Sequence, residues 1–185
     1  FAKSLGAKMG SNAADTLLGG ATDDVLMGAG GNDDIVGGKG NDTLLGGDGN
    51  DKLDDDGDAV KQGYGDDLLD GGRGDDTLFG GDRFDTLKGG SGQDVLHGES
   101  SDDELRGGEG DDTLYGGTGA DRFVFDGLSS TGRGDVIVDF KSSEGDKLVL
   151  DHLFFKALDG KSDLTDHLRT YTASSVGGDD YIVYD

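Results

Sequence analysis

The chain repeats itself every nine residues, and two positions of the repeat keep the same chemistry throughout. Five copies run through residues 10–54 and seven through residues 62–124. The eighth position is a large apolar residue in every copy, from Leu17 to Phe123. A short period repeated this often predicts a solenoid built from one structural unit per copy. The sixth position is aspartate in all twelve copies: Asp15, Asp24, Asp33, Asp42, Asp51, Asp67, Asp76, Asp85, Asp94, Asp103, Asp112 and Asp121.

Glycine fills the turn positions of the repeat, since the first position is glycine in eleven copies and the fourth in eight. Glycine adopts positive φ without steric cost, so these positions predict sharp turns. The residues around the eighth position predict a short strand whose apolar side chain faces inward. Two repeats then form one turn of a flattened coil, in which repeat n stacks on repeat n+2. The predicted fold class is all-β, a parallel β-roll.

The composition raises the question of how such a chain folds. Its net charge is -24, 38 of its 185 residues are glycine, and hydrophobic residues make up only 32%. Low hydrophobicity with high net charge is typical of disordered chains, so we expect a cation to supply the missing stability. The acidic balance argues against nucleic acid as a partner. The absence of cysteine excludes disulfides, thiolate zinc sites and a cysteine nucleophile.

The copies fit the pattern G-G-x-G-x-D-x-U-x and resemble the calcium-binding nonapeptide of RTX proteins over residues 10–124. The resemblance implies a right-handed roll in which backbone carbonyls of positions one to four share each Ca²⁺ with the aspartates at position six. Asp76 and Asp94 are then expected to share one ion. The implied carbonyl ligands belong to Gly28, Gly30, Gly31, Gly37, Gly38, Lys39, Gly40, Gly46, Gly47, Asp48, Gly49, Gly63, Gly65, Gly71, Gly72, Arg73, Gly74, Gly89, Gly90, Ser91, Gly92, Gly107, Gly108, Glu109, Gly110, Gly116, Gly117, Thr118 and Gly119.

The number of ions follows from which aspartates share an edge of the roll. Within the two blocks of copies, repeats n and n+2 give about eight pairs, and the ends and the junction between the blocks add a few more. Eight divalent ions would reduce the net charge from -24 to -8. We therefore expect about eight or more bound ions. The expected ion is Ca²⁺, because oxygen-rich loops suit Ca²⁺ better than the smaller Mg²⁺.

The repeat loses phase at residues 55–61, which are two residues short of one copy. This segment is either a bulged turn within one continuous roll or a hinge between two rolls. An EF-hand is excluded: with Gly57 at the sixth place of the loop, Lys52 and Gly63 fall at its first and twelfth places, where acidic ligands are needed.

Several loops carry a side chain where the repeat has glycine. The fourth position is Ala13, Thr22, Arg83 or Ser101 in four copies, and Glu99 is among the residues that replace glycine at the second position. A side chain at positive φ costs about 1 kcal/mol or more. We therefore expect weaker binding in the loops 80–85 and 98–103, and the charge of Arg83 is a candidate replacement for an ion.

Residues 125–185 lack the repeat and predict a β-rich cap. The stretches "GDVIVDF" (134–140), "GDKLVLD" (145–151) and "DDYIVYD" (179–185) predict strands, and "HLFFKAL" (152–158) predicts a short helix or strand. This segment resembles the caps of serralysin-like proteases and alginate epimerase modules. Its end is either a type I secretion signal or simply an edge strand. A cap is needed because the last turn would otherwise expose an open strand edge.

The predicted organisation has three parts: an N-terminal linker or capping segment at 1–9, the roll at 10–124 and the cap at 125–185. In the cap, Asp135, Asp139 and Asp146 are either ligands of an extra ion or solvated residues at strand ends. The chain lacks an initiator methionine, and its N-terminus is too short and weakly apolar for a signal peptide. We expect it to be a fragment or processed product of a longer protein.

No catalytic motif is present. His97, His152 and His167 form no H-E-x-x-H pair, there is no G-x-S-x-G elbow, and no run of 18 apolar residues predicts a membrane span. The RTX resemblance implies a non-catalytic domain of a protein secreted by a Gram-negative bacterium through a type I system, folding on Ca²⁺ outside the cell. The alternative is a polysaccharide-binding or adhesin module attached to an extracellular enzyme. For either function, a protease, lipase or epimerase is the expected full-length parent, with an active site outside these residues.

Overall fold

A computed structural model describes residues 6–55, 65–125, 134–150, 168–171 and 180–184. Every regular element within these ranges is a β-strand. The strands are β1 Gly6–Met9, β2 Thr16–Gly20, β3 Asp24–Gly30, β4 Asp34–Gly38, β5 Thr43–Asp48, β6 Lys52–Asp54, β7 Leu68–Arg73, β8 Thr77–Asp82, β9 Thr86–Ser91, β10 Val95–Ser100, β11 Glu104–Glu109, β12 Thr113–Thr118, β13 Arg122–Phe125, β14 Val136–Phe140, β15 Lys147–Leu150, β16 Leu168–Tyr171 and β17 Asp180–Tyr184.

Successive strands alternate between two sheets, which confirms the β-roll. The odd-numbered strands β1 to β15 form one eight-stranded sheet, and the even-numbered strands β2 to β14 form the other together with β16 and β17. Pairing between turns is parallel, and paired residues such as Thr77 and Val95 stand 18 positions apart. Two repeats therefore make one turn of the roll, as the period predicts.

The strands are longer than the repeat pattern predicts. A typical strand such as β9 continues through the glycines to position three of the next copy, and Gly90 and Ser91 pair with Gly72 and Arg73 in the previous turn. The φ angles of Gly72 and Gly90 are 108° and 118°, a region that L side chains rarely adopt. The glycine pairs therefore bend the strand without ending it.

The core is a single ladder of position-eight side chains between the two sheets. Each of these side chains is fully buried from the second repeat copy onward, and Ile137 of β14 extends the ladder into the cap. Burial of one leucine stabilises a protein by about 1.5–3 kcal/mol. A ladder of one residue per repeat is thin, and the same chain also buries a long series of aspartates. The fully buried position-eight residues of the ladder are Leu26, Ile35, Leu44, Leu53, Leu69, Leu78, Leu87, Leu96, Leu105, Leu114 and Phe123.

Both sheets continue across the phase break. Strand β5 pairs with β7 and β6 with β8, at a separation of 25 residues instead of 18. Asp55 still occupies the first position of a copy: its N–H donates to the carbonyl of Phe79 (3.1 Å) and its carbonyl accepts from Gly38 N–H (2.6 Å). The seven additional residues therefore follow Asp55, within residues 56–64, which lie outside the described part of the chain.

The predicted cap strands at 134–140 and 145–151 are confirmed as β14 and β15, which stack in parallel on β12 and β13. The final predicted strand is β17, which pairs antiparallel with β14 and β16 and so ends the parallel stacking of this sheet. Because β17 lies between these two strands, the prediction of an edge strand there is wrong. The predicted element at 152–158 lies outside the described residues. Within the residues that the structure describes, no helix is long and apolar enough to cross a membrane.

Candidate metal centre

The position-six aspartates form two rows along the roll. Each aspartate lies directly before a strand or, for Asp24, at its first residue, so the aspartates of successive copies alternate between the two sheets. We call them the first aspartate row (Asp15, Asp33, Asp51, Asp76, Asp94 and Asp112) and the second aspartate row (Asp24, Asp42, Asp67, Asp85, Asp103 and Asp121). The structure therefore brings Asp76 and Asp94 together on adjacent turns, as the repeat predicts.

From Asp33 onward, one carboxylate oxygen of each row aspartate accepts a hydrogen bond from the previous turn. The N–H of Asp76 donates to Oδ1 of Asp94 at 2.8 Å, and the N–H of Asp94 donates to Oδ1 of Asp112 at 2.9 Å. The second row repeats this bond, for example from Asp85 N–H to Asp103 Oδ1 at 2.8 Å. These bonds fix the orientation of each carboxylate, so the position of its second oxygen is fixed as well.

That second oxygen is buried and accepts no hydrogen bond. This holds for Oδ2 of nine position-six aspartates, all at most 3% exposed. Burial of a carboxylate without a partner is strongly unfavourable, and buried polar atoms in proteins almost always have one. The two rows therefore present anionic oxygens that a cation would satisfy. The nine are Asp33, Asp42, Asp51, Asp67, Asp76, Asp85, Asp94, Asp103 and Asp112.

Burial raises the pKa of these aspartates, and neighbouring carboxylates raise it further. The pKa of Asp85 rises from the ordinary value of 3.8 to about 9, and that of Asp103 to about 8. The pKa values of Asp76 and Asp94 both rise to about 7. The cation-free roll is therefore costly at neutral pH, because it must either bind protons or keep buried charges.

Acidification is expected to stabilise the metal-free roll. The pKa of these aspartates is higher in the folded chain than in the unfolded chain, so protonation contributes stability that is complete below about pH 4. This contribution is lost as the pH rises through about 7 to 9. We expect the calcium-depleted chain to gain β-sheet signal in far-UV circular dichroism between pH 8 and pH 5. An unchanged spectrum would contradict this assignment of buried carboxylates.

The position-one glycines leave room for oxygens from two turns. A Cβ built on Gly89 would lie 2.6 Å from the carbonyl oxygen of Gly107 and would also overlap Oδ2 of Asp94. At Gly98 the corresponding distances are 2.7 Å to the carbonyl oxygen of Gly116 and 2.5 Å to Oδ2 of Asp103. Each such glycine therefore marks a place where a carboxylate oxygen and a carbonyl oxygen converge.

The position-three carbonyls that were predicted as ion ligands already take part in hydrogen bonds between turns. Position-three carbonyls already accept a hydrogen bond from position four of the previous turn, as Ser91 does from Gly74 N–H (2.8 Å) and Glu109 from Gly92 N–H (2.9 Å). A carbonyl has two lone pairs, so a second contact remains available to these groups. Gly63 lies outside the described residues.

Two of the non-repeat aspartates extend the rows into the cap. Oδ1 of Asp135 accepts from Asp112 N–H, and Oδ1 of Asp146 accepts from Asp121 N–H, both at 3.1 Å. Asp135 is only 8% exposed, so the expectation of a solvated residue is wrong there. Asp139 instead accepts from the N–H groups of Gly116 and Gly117, each at 2.8 Å. The triplet D-x-U at 135–137 and 146–148 is the signal that would have found the first two.

The loops 80–85 and 98–103 have the predicted backbone strain, but Arg83 does not replace an ion as proposed from the sequence. The φ angles of Arg83, Glu99 and Ser101 are 91°, 78° and 93°. The Arg83 guanidinium lies 3.9 Å from the exposed Asp66, whereas Oδ2 of Asp85 accepts no hydrogen bond. The arginine therefore points away from the second aspartate row and does not take the place of an ion.

A family model for the RTX calcium-binding nonapeptide repeat matches residues 9–44, 27–54, 37–59, 63–87, 79–110 and 97–127, which together cover more than half of the chain. The chain belongs to the RTX family. No match is found among the curated proteins. The family binds Ca²⁺ through these repeats, and the buried Oδ2 atoms and the glycine openings fit a hard, oxygen-seeking cation. The RTX repeat is a calcium-binding unit, so the described roll is a calcium-binding domain.

Proposed function

We propose that this RTX roll is a non-catalytic domain that folds when Ca²⁺ binds and thereby stabilises a larger protein outside the cell. The observation that carries the proposal is the pair of rows of buried Oδ2 atoms without hydrogen-bond partners. Without cations, the rows place closely spaced negative charges inside a thin core. With Ca²⁺ bound, the same atoms become ligands, so the binding free energy becomes folding free energy.

The ions bind between adjacent turns of a row in this proposal. Each site takes position-six carboxylates from two turns, together with carbonyls of the glycine-rich loops, which gives Ca²⁺ the six or more oxygens it prefers. Pairing across the phase break and into the cap supports more sites than the two regular blocks contain. The proposed number of bound Ca²⁺ ions is about eight or more.

Export through a type I secretion system follows from this switch. In the calcium-poor cytosol the acidic chain stays unfolded and can be threaded through an exporter. In calcium-rich surroundings the roll forms, and the cap strands, stacked directly on the last repeats, offer a template for it. Extracellular calcium modules bind with dissociation constants of about 10⁻⁴–10⁻³ M, which suits a switch that stays off in the cytosol. The polysaccharide-binding alternative stays a prediction, which a glycan titration would test.

The test is far-UV circular dichroism of the chain titrated with free Ca²⁺ from chelator upward, with Mg²⁺ as the control. We expect a cooperative transition from coil to β-structure with Ca²⁺, because folding and binding are coupled, and little change with Mg²⁺. A β-sheet spectrum in chelator at neutral pH would overturn the proposal, since the leucine ladder and the cap would then be sufficient for folding.

A further inference from the structure

The phase break contains a side-chain cluster that differs from the regular repeats. Asp42, Asp55 and Asp67 each bring a carboxylate oxygen to one place, and the three oxygens lie within 4.8 Å of one another. All three residues are buried, and Asp55 is 0% exposed. Oxygens that bind the same Ca²⁺ at 2.3–2.6 Å can be separated by at most about 5 Å, so the spacing fits one ion.

Among the described position-one residues of the roll, Asp55 is the only one that is not glycine. In most regular copies, Oδ2 of the position-six aspartate and the carbonyl oxygen of the position-one glycine one turn later lie where a Cβ of the position-one glycine would lie. At Gly28, for example, the added Cβ would meet Oδ2 of Asp33 and, at 2.7 Å, the carbonyl oxygen of Gly46. At Gly37, Oδ2 of Asp42 and Oδ1 of Asp55 lie 2.7 Å and 3.1 Å from the place a Cβ would take. A charged carboxylate thus replaces a neutral carbonyl.

A second observation points to a ligand at this cluster. Oδ2 of Asp42, a residue only 2% exposed, faces the cluster and accepts no hydrogen bond. A third carboxylate placed beside it increases the charge repulsion in a site closed to solvent, and only a cation or shared protons can compensate. Asp55, the last described residue before the phase break, supplies this carboxylate.

We propose that Asp42, Asp55 and Asp67 hold a Ca²⁺ ion with three carboxylates, a site distinct in composition from the repeat sites. Asp55 and Asp67 stand on either side of the segment 56–64, so one ion bound to both closes the interruption and keeps the two blocks of repeats in register. Calcium affinity rises with the number of charged ligands. This site therefore fills before the repeat sites and prefers cations of higher charge. The inference rests on the calcium binding of the repeats proposed above.

Eu³⁺ is the probe for this site, because its lowest excitation transition gives one line per ligand environment and shifts with ligand charge. The calcium-loaded wild-type chain is titrated with Eu³⁺ up to about one equivalent. We expect a single line from the three-carboxylate site first and a second line from the repeat sites only with further Eu³⁺. A wild-type spectrum with one environment throughout would overturn the proposal, whatever the variants do.

Two variants identify the residue that creates the site. Asp55→Gly restores the residue that the other copies have at position one, and Asp55→Asn keeps the side-chain volume without the charge. Asp54→Asn, on the outer face one residue earlier, is the control for the change in charge, although it also removes an ion pair with Lys52. We expect both Asp55 variants to lose the first Eu³⁺ line, because Asp42 and Asp67 then form a site like those of the regular copies, and Asp54→Asn to keep that line. Equilibrium dialysis is expected to count as many Ca²⁺ ions in Asp55→Gly as in wild type, so the variant changes the composition of the site and not the number of sites.

The outcomes separate this inference from the proposed function. If wild type folds with Ca²⁺ and the Asp55→Gly chain gives the same Eu³⁺ spectrum, the three-carboxylate site is wrong and the folding switch stands. If wild type binds no Ca²⁺ at all, the proposed function fails together with the inference. Circular dichroism at saturating Ca²⁺ checks that each variant is folded before its ions are counted.

Discussion

The double variant Asp76→Asn, Asp94→Asn is expected to need about two to four times more Ca²⁺ to fold than the wild type. Both residues lie in the first aspartate row, and their Oδ2 atoms are buried without hydrogen-bond partners. Asparagine keeps Oδ1 as an acceptor for the N–H bonds between turns but removes the two anionic ligands. A charged ligand contact contributes about 1.5–3 kcal/mol. A loss of about 3–6 kcal/mol, spread over about eight cooperatively bound ions, shifts the midpoint by this factor.

The control for this variant is Asp75→Asn, Asp102→Asn, which changes the net charge from -24 to -22 in the same way. These aspartates are exposed, and each accepts one hydrogen bond from the next turn, which an asparagine oxygen can also accept. The midpoint is measured by circular dichroism against free Ca²⁺. Equal midpoints in the two double variants would show that only net charge matters and that the row does not bind the ions.

Most of the fold could be predicted from the nine-residue period, because a unit with one inward-facing residue determines which copies stack on each other. That is why Leu96 and Asp94 lie where the pattern predicts, between the sheets and in a row. The same logic failed where the spacing changes. Asp135 and Asp146 follow their row neighbours after 23 and 25 residues rather than 18, so counting by nine does not reach them.

Other features depend on three-dimensional contacts that a repeat pattern does not encode. Asp55 looked like the first residue of an irregular turn, and only its hydrogen bonds to Phe79 and Gly38 reveal that it fills position one. The Arg83 guanidinium lies 3.9 Å from Asp66, a pairing that the position of Arg83 in the repeat does not encode. The length of the strands does not follow from the pattern, because a glycine in a strand can mark a bend as well as an end.

Gly89→Ala is expected to destabilise the calcium-loaded roll by about 1–3 kcal/mol, the usual cost of overpacking a closed site. The new methyl group would overlap Oδ2 of Asp94 and lie 2.6 Å from the carbonyl oxygen of Gly107. Neither atom can move away easily, since Asp94 is bonded to the neighbouring turns through its N–H and Oδ1. The substitution changes no charge and no proposed ligand, so its effect reports the space that the ligands need.

Gly30→Ala is the matched control, because the nearest atom to its new methyl group is the carbonyl oxygen of Asp48 at 3.6 Å, an ordinary contact distance. We expect its stability to stay within about 0.5 kcal/mol of wild type, as for substitutions that create no clash. Urea unfolding at saturating Ca²⁺ measures both variants, and equilibrium dialysis counts their ions. Because the overlap lies where a carboxylate and a carbonyl converge, Gly89→Ala should also lose Ca²⁺. Equal stability and ion number in the two variants would place the ions away from the position-one glycines.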